Sequence, residues 1–295
     1  GGGEDMIFLQ PRSMPELASC LAQKQGRDAY LVSGCTDFLA KRNGKVWEAE
    51  MLISLTDVPE LRRILLLAGK LSIGAACTHT QVETNALVQQ YFPALTQACG
   101  NVGSRQIRNR GTVGGSIGNA SPAGDIYPVL LALDAEAAVM NSAGVTRRLP
   151  VDWLVTGVGK TALAEDEVIV AFEIPLPAEN GLNAFVKLGE RAKVTIAKIS
   201  LAASMEVENG VISRPRIVLG AVSSKAILAA EPAATLCGWP LSMDRFEEFS
   251  EILGVEIEHS IPNRPTMPYK RAAVRGLAED VLRCLVQQAG EKELL

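Results

Sequence analysis

Along the first 175 residues, most segments alternate apolar and polar residues with the two-residue period of a β-strand, and a few have the 3.6-residue period of a helix. This pattern predicts a part of the chain that is rich in strands. A strand opening at Met6, a helix over Met14–Lys24 with apolar residues at helical spacing, and a strand over Ala29–Ser33 follow one another. A βαβ-like unit therefore ends near residue 58, and a hairpin turning at Gly69-Lys70 opens the next part. Further strands are predicted at 51–55, 62–67, 71–75, 136–140, 145–149 and 168–174, and helices at 81–89, 93–102 and 129–133.

The second part of the chain begins after a proline-rich segment at 175–181, which we take as the domain boundary. Asn209-Gly210 is the strongest hairpin signal there, Ser242 is expected to cap a helix running to about Glu258, and Tyr269–Gln288 has helical spacing. Antiparallel strands are predicted at 184–188, 199–207 and 211–219. The predicted domains are 6–176, with parts at about 6–58 and 59–176, and 182–290.

The charge balance restricts the possible partners. The 295 residues include 29 Lys and Arg against 33 Asp and Glu, so the net charge is -4 and no broad positive field binds nucleic acid or anionic membranes. No run approaches the roughly 20 apolar residues that span a bilayer, and no basic segment followed by an apolar one opens the chain. We therefore expect a cytoplasmic protein with no nucleic-acid partner and no membrane span.

Cysteine and histidine are distributed unfavourably for a metal site. There are only two histidines, His79 and His259, and no G-x-S-x-G motif, so a serine hydrolase is disfavoured. The cysteines form no C-x-x-C pair and no regular spacing. Buried free thiols are therefore the expected state of Cys20, Cys35, Cys77, Cys99, Cys237 and Cys284.

The segment Gly157–Thr161 contains part of the phosphate-binding pattern G-x-x-x-x-G-K-[ST]. Leu154 stands where the first glycine of that pattern belongs, which disfavours a nucleoside triphosphatase. An ordinary turn with a solvated Lys160 is expected instead.

Two other glycine-containing segments have the chemistry to hold a diphosphate. Arg110–Gly118 offers backbone amides that no side chain obstructs, together with the hydroxyls of Thr112 and Ser116. It is not the dinucleotide fingerprint, because no strand leads directly into it, and Gly34–Asp37 at the end of a strand is a weaker second candidate. Either segment alone could be a structural turn, but together they favour a phosphate-bearing cofactor held between two subdomains.

Three segments carry a resemblance to a known family: Leu31–Phe38 (LVSGCTDF), Gln106–Asn109 followed by Thr112–Gly115, and Ser121–Asp125 (SPAGD). In this order they resemble the FAD-binding, or medium, subunit of the molybdenum hydroxylases, which include xanthine, nicotinate and carbon monoxide dehydrogenases. The similarity spans nearly the whole chain after Met6, continuing through 157–161, 166–169, 185–191 and 264–271.

This resemblance implies an α+β fold of two domains. The first would be a vanillyl-alcohol-oxidase-like (PCMH-type) FAD-binding domain made of two subdomains. The second would be a smaller C-terminal α+β domain with a three-stranded antiparallel sheet and helices.

The resemblance also implies which residues hold FAD. Ser33 to Asp37 and Thr112 to Ser116 would surround the diphosphate with amides and hydroxyls. Asp125 would contact a cofactor hydroxyl, Ile169 would make a backbone or apolar contact, and Lys187 would lie near the flavin end; a helix cap, a core residue and a surface lysine are their ordinary alternatives. The full candidate set is Leu31, Val32, Ser33, Gly34, Cys35, Thr36, Asp37, Phe38, Val102, Ile107, Thr112, Gly114, Gly115, Ser116, Asp125, Ile169 and Lys187.

The chain departs from the family pattern at two positions. Cys35 replaces the second glycine of the usual Gly-Gly-Thr-Asp, and Ser116 replaces the asparagine that usually follows the second Gly-Gly. Cys35 would be strained if its φ were positive. Neither segment contains histidine, so the FAD is expected to be non-covalent, and no cysteine cluster suggests an iron–sulfur centre on this chain.

The activity implied by the resemblance is electron transfer. FAD on this subunit would receive electrons from two 2Fe-2S clusters on a small partner subunit, while a large partner subunit carries the molybdopterin, and NAD or another acceptor would receive the electrons. A stand-alone flavin-dependent oxidoreductase and a non-catalytic nucleotide-binding module are the alternatives. The substrate, for which a purine such as xanthine is the first expectation, would be decided on the large subunit.

Overall fold

The computed structural model describes residues 5–33, 49–188 and 199–294, and these residues form two units. The first unit comprises the described residues of Gly1–Val82, Val102–Ala120 and Ala135–Pro175. The second unit comprises those of Glu83–Asn101, Ser121–Asp134 and Leu176–Leu295.

A parallel sheet of three strands opens the first unit. Strands β1 (Ile7–Leu9), β2 (Ala29–Val32) and β3 (Met51–Ser54) lie in the order β1-β3-β2. Helix α1 (Met14–Lys24) connects β1 to β2; its cap, Ser13, accepts from the Glu16 N–H, and its apolar face buries Leu17 and Leu21. The predicted βαβ-like unit is confirmed.

An antiparallel sheet of five strands forms the rest of the first unit's core, in the order β4-β5-β10-β6-β7. The hairpin turns at Ala68-Gly69, both with positive φ, one residue earlier than predicted. The bounds are β4 Ile64–Leu67, β5 Lys70–Gly74, β6 Glu136–Met140, β7 Thr146–Pro150 and β10 Val168–Pro175. A short helix α8 (Val151–Leu154) and the hairpin β8 (Val155–Gly157) and β9 (Lys160–Thr161) follow β7, so Gly157–Thr161 is the expected turn with an exposed Lys160.

The predicted helix over 81–89 is wrong, because two short helices replace it. Helix α2 (His79–Thr84) ends before Asn85, whose backbone is extended and whose Oδ1 accepts from the N–H groups of Leu87 and Val88. Asn85 thereby caps α3 (Ala86–Tyr91), and its side chain competes with a continuous helix. Helix α4 (Pro93–Gly100) follows, as expected.

No helix was predicted between residues 103 and 125, yet much of this glycine-rich segment is helical. It contains α5 (Arg105–Arg110) and α6 (Val113–Asn119), and α7 (Ile126–Ala132) follows. Helix α6 forms despite three glycines because Thr112 caps it and Val113 and Ile117, one turn apart, are buried.

The second unit contains a four-stranded antiparallel sheet of β11 (Gly181–Lys187), β12 (Ser200–Glu208), β13 (Val211–Gly220) and the short β14 (Ile227–Leu228). β14 adds to the three strands predicted, and Asn209-Gly210 turns the expected hairpin with φ of 50° and 76°. Buried Asn183 holds α4 to this sheet, since its Oδ1 accepts from the Ala94 N–H and its Nδ2 donates to the Tyr91 carbonyl.

Helices complete the second unit: α9 (Ala230–Leu236), α10 (Phe246–Ser260) and α11 (Met267–Glu293). Ser242 caps a single 3-10 turn at Met243–Arg245 rather than the α-helix itself, so α10 begins three residues later than predicted. The apolar faces of α10 and α11 bury Phe249, Leu253 and Leu277 within the unit's core. None of the helices in the described ranges is long and apolar enough to cross a bilayer.

Candidate cofactor site

A cleft of about 490 Å³ lies within the first unit, a volume in the range of small-molecule sites. The carboxyl end of β2, the first turns of α6, part of α5 and the start of β10 border it. Two hydrogen bonds fix the backbone of Ser33, which borders the cleft: the Leu55 N–H donates to Val32 O at 2.9 Å, and Thr56 Oγ1 donates to Ser33 O at 3.2 Å.

Most of the predicted FAD-binding residues in the first unit line this cleft. Gly34, Cys35, Thr36, Asp37 and Phe38 fall outside the described residues, and Asp125 and Lys187 belong to the second unit. The residues brought together are Leu31, Val32, Ser33, Val102, Ile107, Thr112, Gly114, Gly115, Ser116 and Ile169.

Three residues with hydroxyl groups line the cleft at or near the first turn of α6, and we call Ser33, Thr112 and Ser116 the hydroxyl cluster. Ser33 Oγ and Thr112 Oγ1 lie 2.6 Å apart, and Thr112 Oγ1 accepts from the Gly115 N–H at 3.1 Å. One hydrogen bond between two hydroxyls uses one of their two protons, so the pair keeps one O–H donor for a ligand.

The backbone amides of the same turn have acceptors within the protein. The N–H groups of Val113 and Gly114 donate to the carbonyls of Cys77 and Ala75, at 3.0 and 2.8 Å, and the Ser116 N–H donates to Thr112 O at 3.0 Å. The expected contribution of these amides to a diphosphate therefore stays a prediction. Among the described groups around this turn, the hydroxyls of the cluster are the ones that retain an O–H hydrogen to donate to a ligand.

The two consecutive glycines have different roles. A Cβ at Gly114 would lie 2.6 Å from Ala75 O, so this glycine permits the close approach of α6 to the chain after β5. A Cβ at exposed Gly115 would lie 3.0 Å from Thr112 Oγ1 and 3.6 Å from Ser33 Oγ. Gly115 thus leaves open the space directly beside the hydroxyls of Thr112 and Ser33.

His79, which the sequence interpretation considered only as a metal or triad residue, also lines the cleft. The side chain is 2% exposed, its Nε2 lies 3.1 Å from Ser116 Oγ, and burial lowers its pKa to about 4. The one signal in the sequence was that His79 is one of only two histidines. In the structure it follows Thr78, which forms a β-bridge with Thr112.

The start of β10 and the residues before it also line the cleft. Buried Ile169 lies there beside Glu167, whose carboxylate accepts from Arg147 Nε and Nη2 at 2.7 and 3.0 Å and from the Ala164 N–H. The hydrogen bond from Arg147 holds the pKa of Glu167 below its ordinary value. The carboxylate is therefore fixed and compensated inside the protein.

In the second unit, Asp125 and Lys187 form an ion pair. Lys187 Nζ donates to Asp125 Oδ2 at 2.6 Å, and the two side chains are 15% and 7% exposed. Asp125 stands at the cap position of α7 without a capping hydrogen bond from its side chain. The predicted cofactor contacts of both residues stay predictions.

The described cysteines are all free. Cys20, Cys77 and Cys99 are buried as predicted, and burial raises the pKa of Cys77 to about 11. The prediction of burial is wrong for Cys237, which is exposed just after the end of α9, and for Cys284, which is only half-buried. Within the described residues, no group of three or more His, Cys, Asp or Glu side chains could hold a metal ion.

Comparison with family models gives two matches. Residues 4–177 match the FAD binding domain in molybdopterin dehydrogenase, and residues 184–285 match the CO dehydrogenase flavoprotein C-terminal domain. Residues 31–169, which include all described cleft residues predicted to bind FAD, lie inside the first match.

Comparison with individual proteins agrees. The chain is 28% identical to the nicotinate dehydrogenase FAD-subunit of Eubacterium barkeri, over 97% of each chain. It is 30% identical to the xanthine dehydrogenase FAD-binding subunit of Escherichia coli, over 90% of this chain and 91% of the relative. The structure resembles a chain of carbon monoxide dehydrogenase from Hydrogenophaga pseudoflava, with a TM-score of 0.83, 26% identity, and coverage of 96% and 98%. These findings confirm the predicted fold.

Proposed function

Because this chain belongs to the family of FAD-binding subunits of molybdenum hydroxylases, we propose that it transfers electrons from 2Fe-2S clusters of a partner subunit to NAD or another acceptor. FAD is its cofactor, and the chain is a subunit of an oxidoreductase. The proposed step requires no side chain to act as an acid or a base, since the redox chemistry belongs to the cofactor.

Two partners complete the proposed assembly. One is a large subunit that binds molybdopterin, and the other is a small subunit that holds the 2Fe-2S clusters. Support comes from relatives that are FAD subunits of dehydrogenases, and from the similar carbon monoxide dehydrogenase, a form that lacks the Mo-pyranopterin moiety of the molybdenum cofactor. A cytoplasmic location stays a prediction from the sequence.

The hydroxyl cluster beside Gly115 is the observation that supports the proposed FAD site most directly. Bound FAD accepts and releases electrons, and the protein's task is to bind and orient it. In our proposal, Ser116 and the one O–H left to the Ser33–Thr112 pair donate hydrogen bonds to the diphosphate, Gly115 leaves room for it, and Ile169 gives an apolar contact to the cofactor.

The remaining predicted residues complete the proposal. Leu31, Val32, Val102 and Ile107 line the cleft and would contribute apolar contacts. Gly34, Cys35, Thr36, Asp37 and Phe38, which follow β2 in the sequence, would also bind FAD, Asp125 would contact a cofactor hydroxyl, and Lys187 would lie near the flavin end. The matches at 4–177 and 184–285 support functional domains at 6–176 and 182–290.

The visible absorption spectrum of the purified chain, before and after acid precipitation, tests the proposal. Flavin bands that move to the supernatant and identify as FAD are expected, because the cofactor is non-covalent. A colourless chain that also fails to bind added FAD would contradict the cofactor assignment.

A second measurement tests the proposed electron transfer. The isolated chain should not oxidise xanthine or nicotinate, whereas the assembled complex should oxidise its substrate and reduce an acceptor. Substrate oxidation by the isolated chain at the rate of the complex would favour a stand-alone flavin oxidoreductase.

A further inference from the structure

His79 is a buried polar side chain at the cleft for which the proposed electron transfer requires no role. Its Nε2 lies 3.1 Å from Ser116 Oγ, and its Nδ1 has no hydrogen-bond partner among the described residues. Gly111 packs closely against His79. The His79 N–H donates to Gly111 O at 3.0 Å, and a Cβ at Gly111 would lie only 3.1 Å from the ring.

The burial of the ring decides its protonation. Because burial lowers the pKa of His79 to about 4, the imidazole is neutral at pH 7 and carries one N–H. That hydrogen is either on Nε2, which then donates to Ser116 Oγ, or on Nδ1, which then leaves a buried N–H without an acceptor. An unpaired buried donor is rarer and more costly than an unpaired acceptor, so the tautomer with hydrogen on Nε2 is favoured.

This tautomer determines what Ser116 can do. When Oγ accepts a hydrogen bond from His79, the serine's own hydrogen is left for another acceptor. A serine within a helix commonly turns its hydroxyl back to the carbonyl four residues earlier, here that of Thr112, which already accepts the Ser116 N–H. The bond from His79 stabilises a different hydroxyl orientation at the edge of the cleft.

We infer that His79 is a positioning residue, which holds the Ser116 hydroxyl so that it donates a hydrogen bond to a phosphate of FAD. The inference rests on the proposed function, because it requires the diphosphate to lie beside the hydroxyl cluster. His79 does not contact the phosphate and acts through Ser116. It adds a buried residue, outside both glycine-containing segments, to those that determine how tightly FAD is held.

A double-mutant cycle on the full chain, stripped of flavin and titrated with FAD by fluorescence, tests the inference. His79→Leu and Ser116→Ala should each raise the Kd for FAD about tenfold, the size expected for a hydrogen bond to a charged group. His79→Leu should cause no further loss in the Ser116→Ala background. His79→Gln, which keeps an N–H donor, should weaken FAD binding less than His79→Leu.

The contradictory outcomes separate the inference from the function on which it rests. Equal losses from His79→Leu in both backgrounds would show a structural role and overturn the inference, as would a Ser116→Ala variant with unchanged affinity. If the wild-type chain bound no FAD, the proposed function itself would fail.

Nitrogen-15 NMR of the histidine rings gives a readout that does not depend on the folding of any variant at residue 79. The chain has only two histidines, so His259→Gln, a change at an exposed position of α10, assigns the signals. Hydrogen on Nε2 of His79 in the wild-type chain supports the inference, and hydrogen on Nδ1 overturns it.

Discussion

Gly115 is the residue at which the position of the diphosphate is most directly tested. Gly115→Asp would place a carboxylate beside Thr112 Oγ1, next to where the phosphates are proposed to lie. Repulsion at such a distance is worth about 1 kcal/mol or more, so the Kd for FAD should rise at least about fivefold. The fold should persist, because an acidic side chain is favourable in the first turn of a helix. Fluorescence titration with FAD measures the change.

The matched control adds the same charge elsewhere in the first unit. Gly157→Asp lies on β8 outside the cleft, and its Cβ would meet nothing closer than 3.9 Å. Its affinity for FAD should equal that of the wild type. Unchanged affinity in a folded Gly115→Asp variant would place the phosphates away from the hydroxyl cluster.

Individual side-chain partners were the least predictable feature from the sequence. Asp125 and Lys187 are 62 positions apart, so no local pattern could show that they form an ion pair. The sequence disfavoured a metal site at His79 and carried no signal for its contact with Ser116, which lies 37 positions away. Such contacts depend on how α2 and α6 pack, which residue types alone do not specify.

At the scale of elements, the packing of α6 on the chain after β5 predicts opposite effects for two glycines of one helix. Gly114→Ala should lower the free energy of unfolding by about 1–3 kcal/mol, because its Cβ would overlap the Ala75 carbonyl. A Cβ at Gly118 would meet no atom within 4 Å, so Gly118→Ala should leave the free energy of unfolding unchanged or raise it by up to about 1 kcal/mol. Urea denaturation of both variants measures the difference, and equal effects would contradict the close contact.

The ion pair between Arg147 on β7 and Glu167, which directly precedes β10, should make the free energy of unfolding depend on pH. The hydrogen bond from Arg147 on β7 lowers the pKa of Glu167 from its ordinary value near 4.5, so the folded state binds this proton less readily than the unfolded state. The stabilisation is complete above pH 4.5 and is lost as the pH falls through the lowered pKa. Because Arg147 is 47% exposed, we expect about 1 kcal/mol or less.

The variant Arg147→Met measures this contribution by thermal unfolding across pH. At pH 7 the variant should have the lower Tm, and the difference from wild type should shrink as the pH falls below 4.5. A difference that stays constant to pH 3 would mean that Glu167 does not carry the effect.

Elements with strong periodicity or a defined turn were predictable, and elements decided by a single cap were not. The predicted bounds of α1 agree with the structure because apolar spacing, Ser13 and Pro15 all favour the same start. Helix α6 was missed because its glycines disfavour a helix, while the Thr112 cap and the burial of Ile117 outweigh that preference. Asn85 divides α2 from α3 for the same kind of local reason.

At the scale of the whole molecule, the distribution of charge should affect how fast FAD binds. The chain has a net charge of -4, yet residues 84–124 contain no Asp or Glu, and α5 carries Arg105, Arg108 and Arg110 while its Ile107 lines the cleft. This local positive charge should attract the anionic cofactor, so the association rate should fall as salt is added. Arg105→Gln with Arg110→Gln should slow association about threefold at low salt and by less at high salt, with little change in the dissociation rate. Stopped-flow fluorescence measures both rates.

The control is Arg12→Gln, which removes an exposed charge away from the cleft. If Arg12→Gln slowed FAD association as much per charge removed, the effect would come from the net charge of the chain rather than from α5.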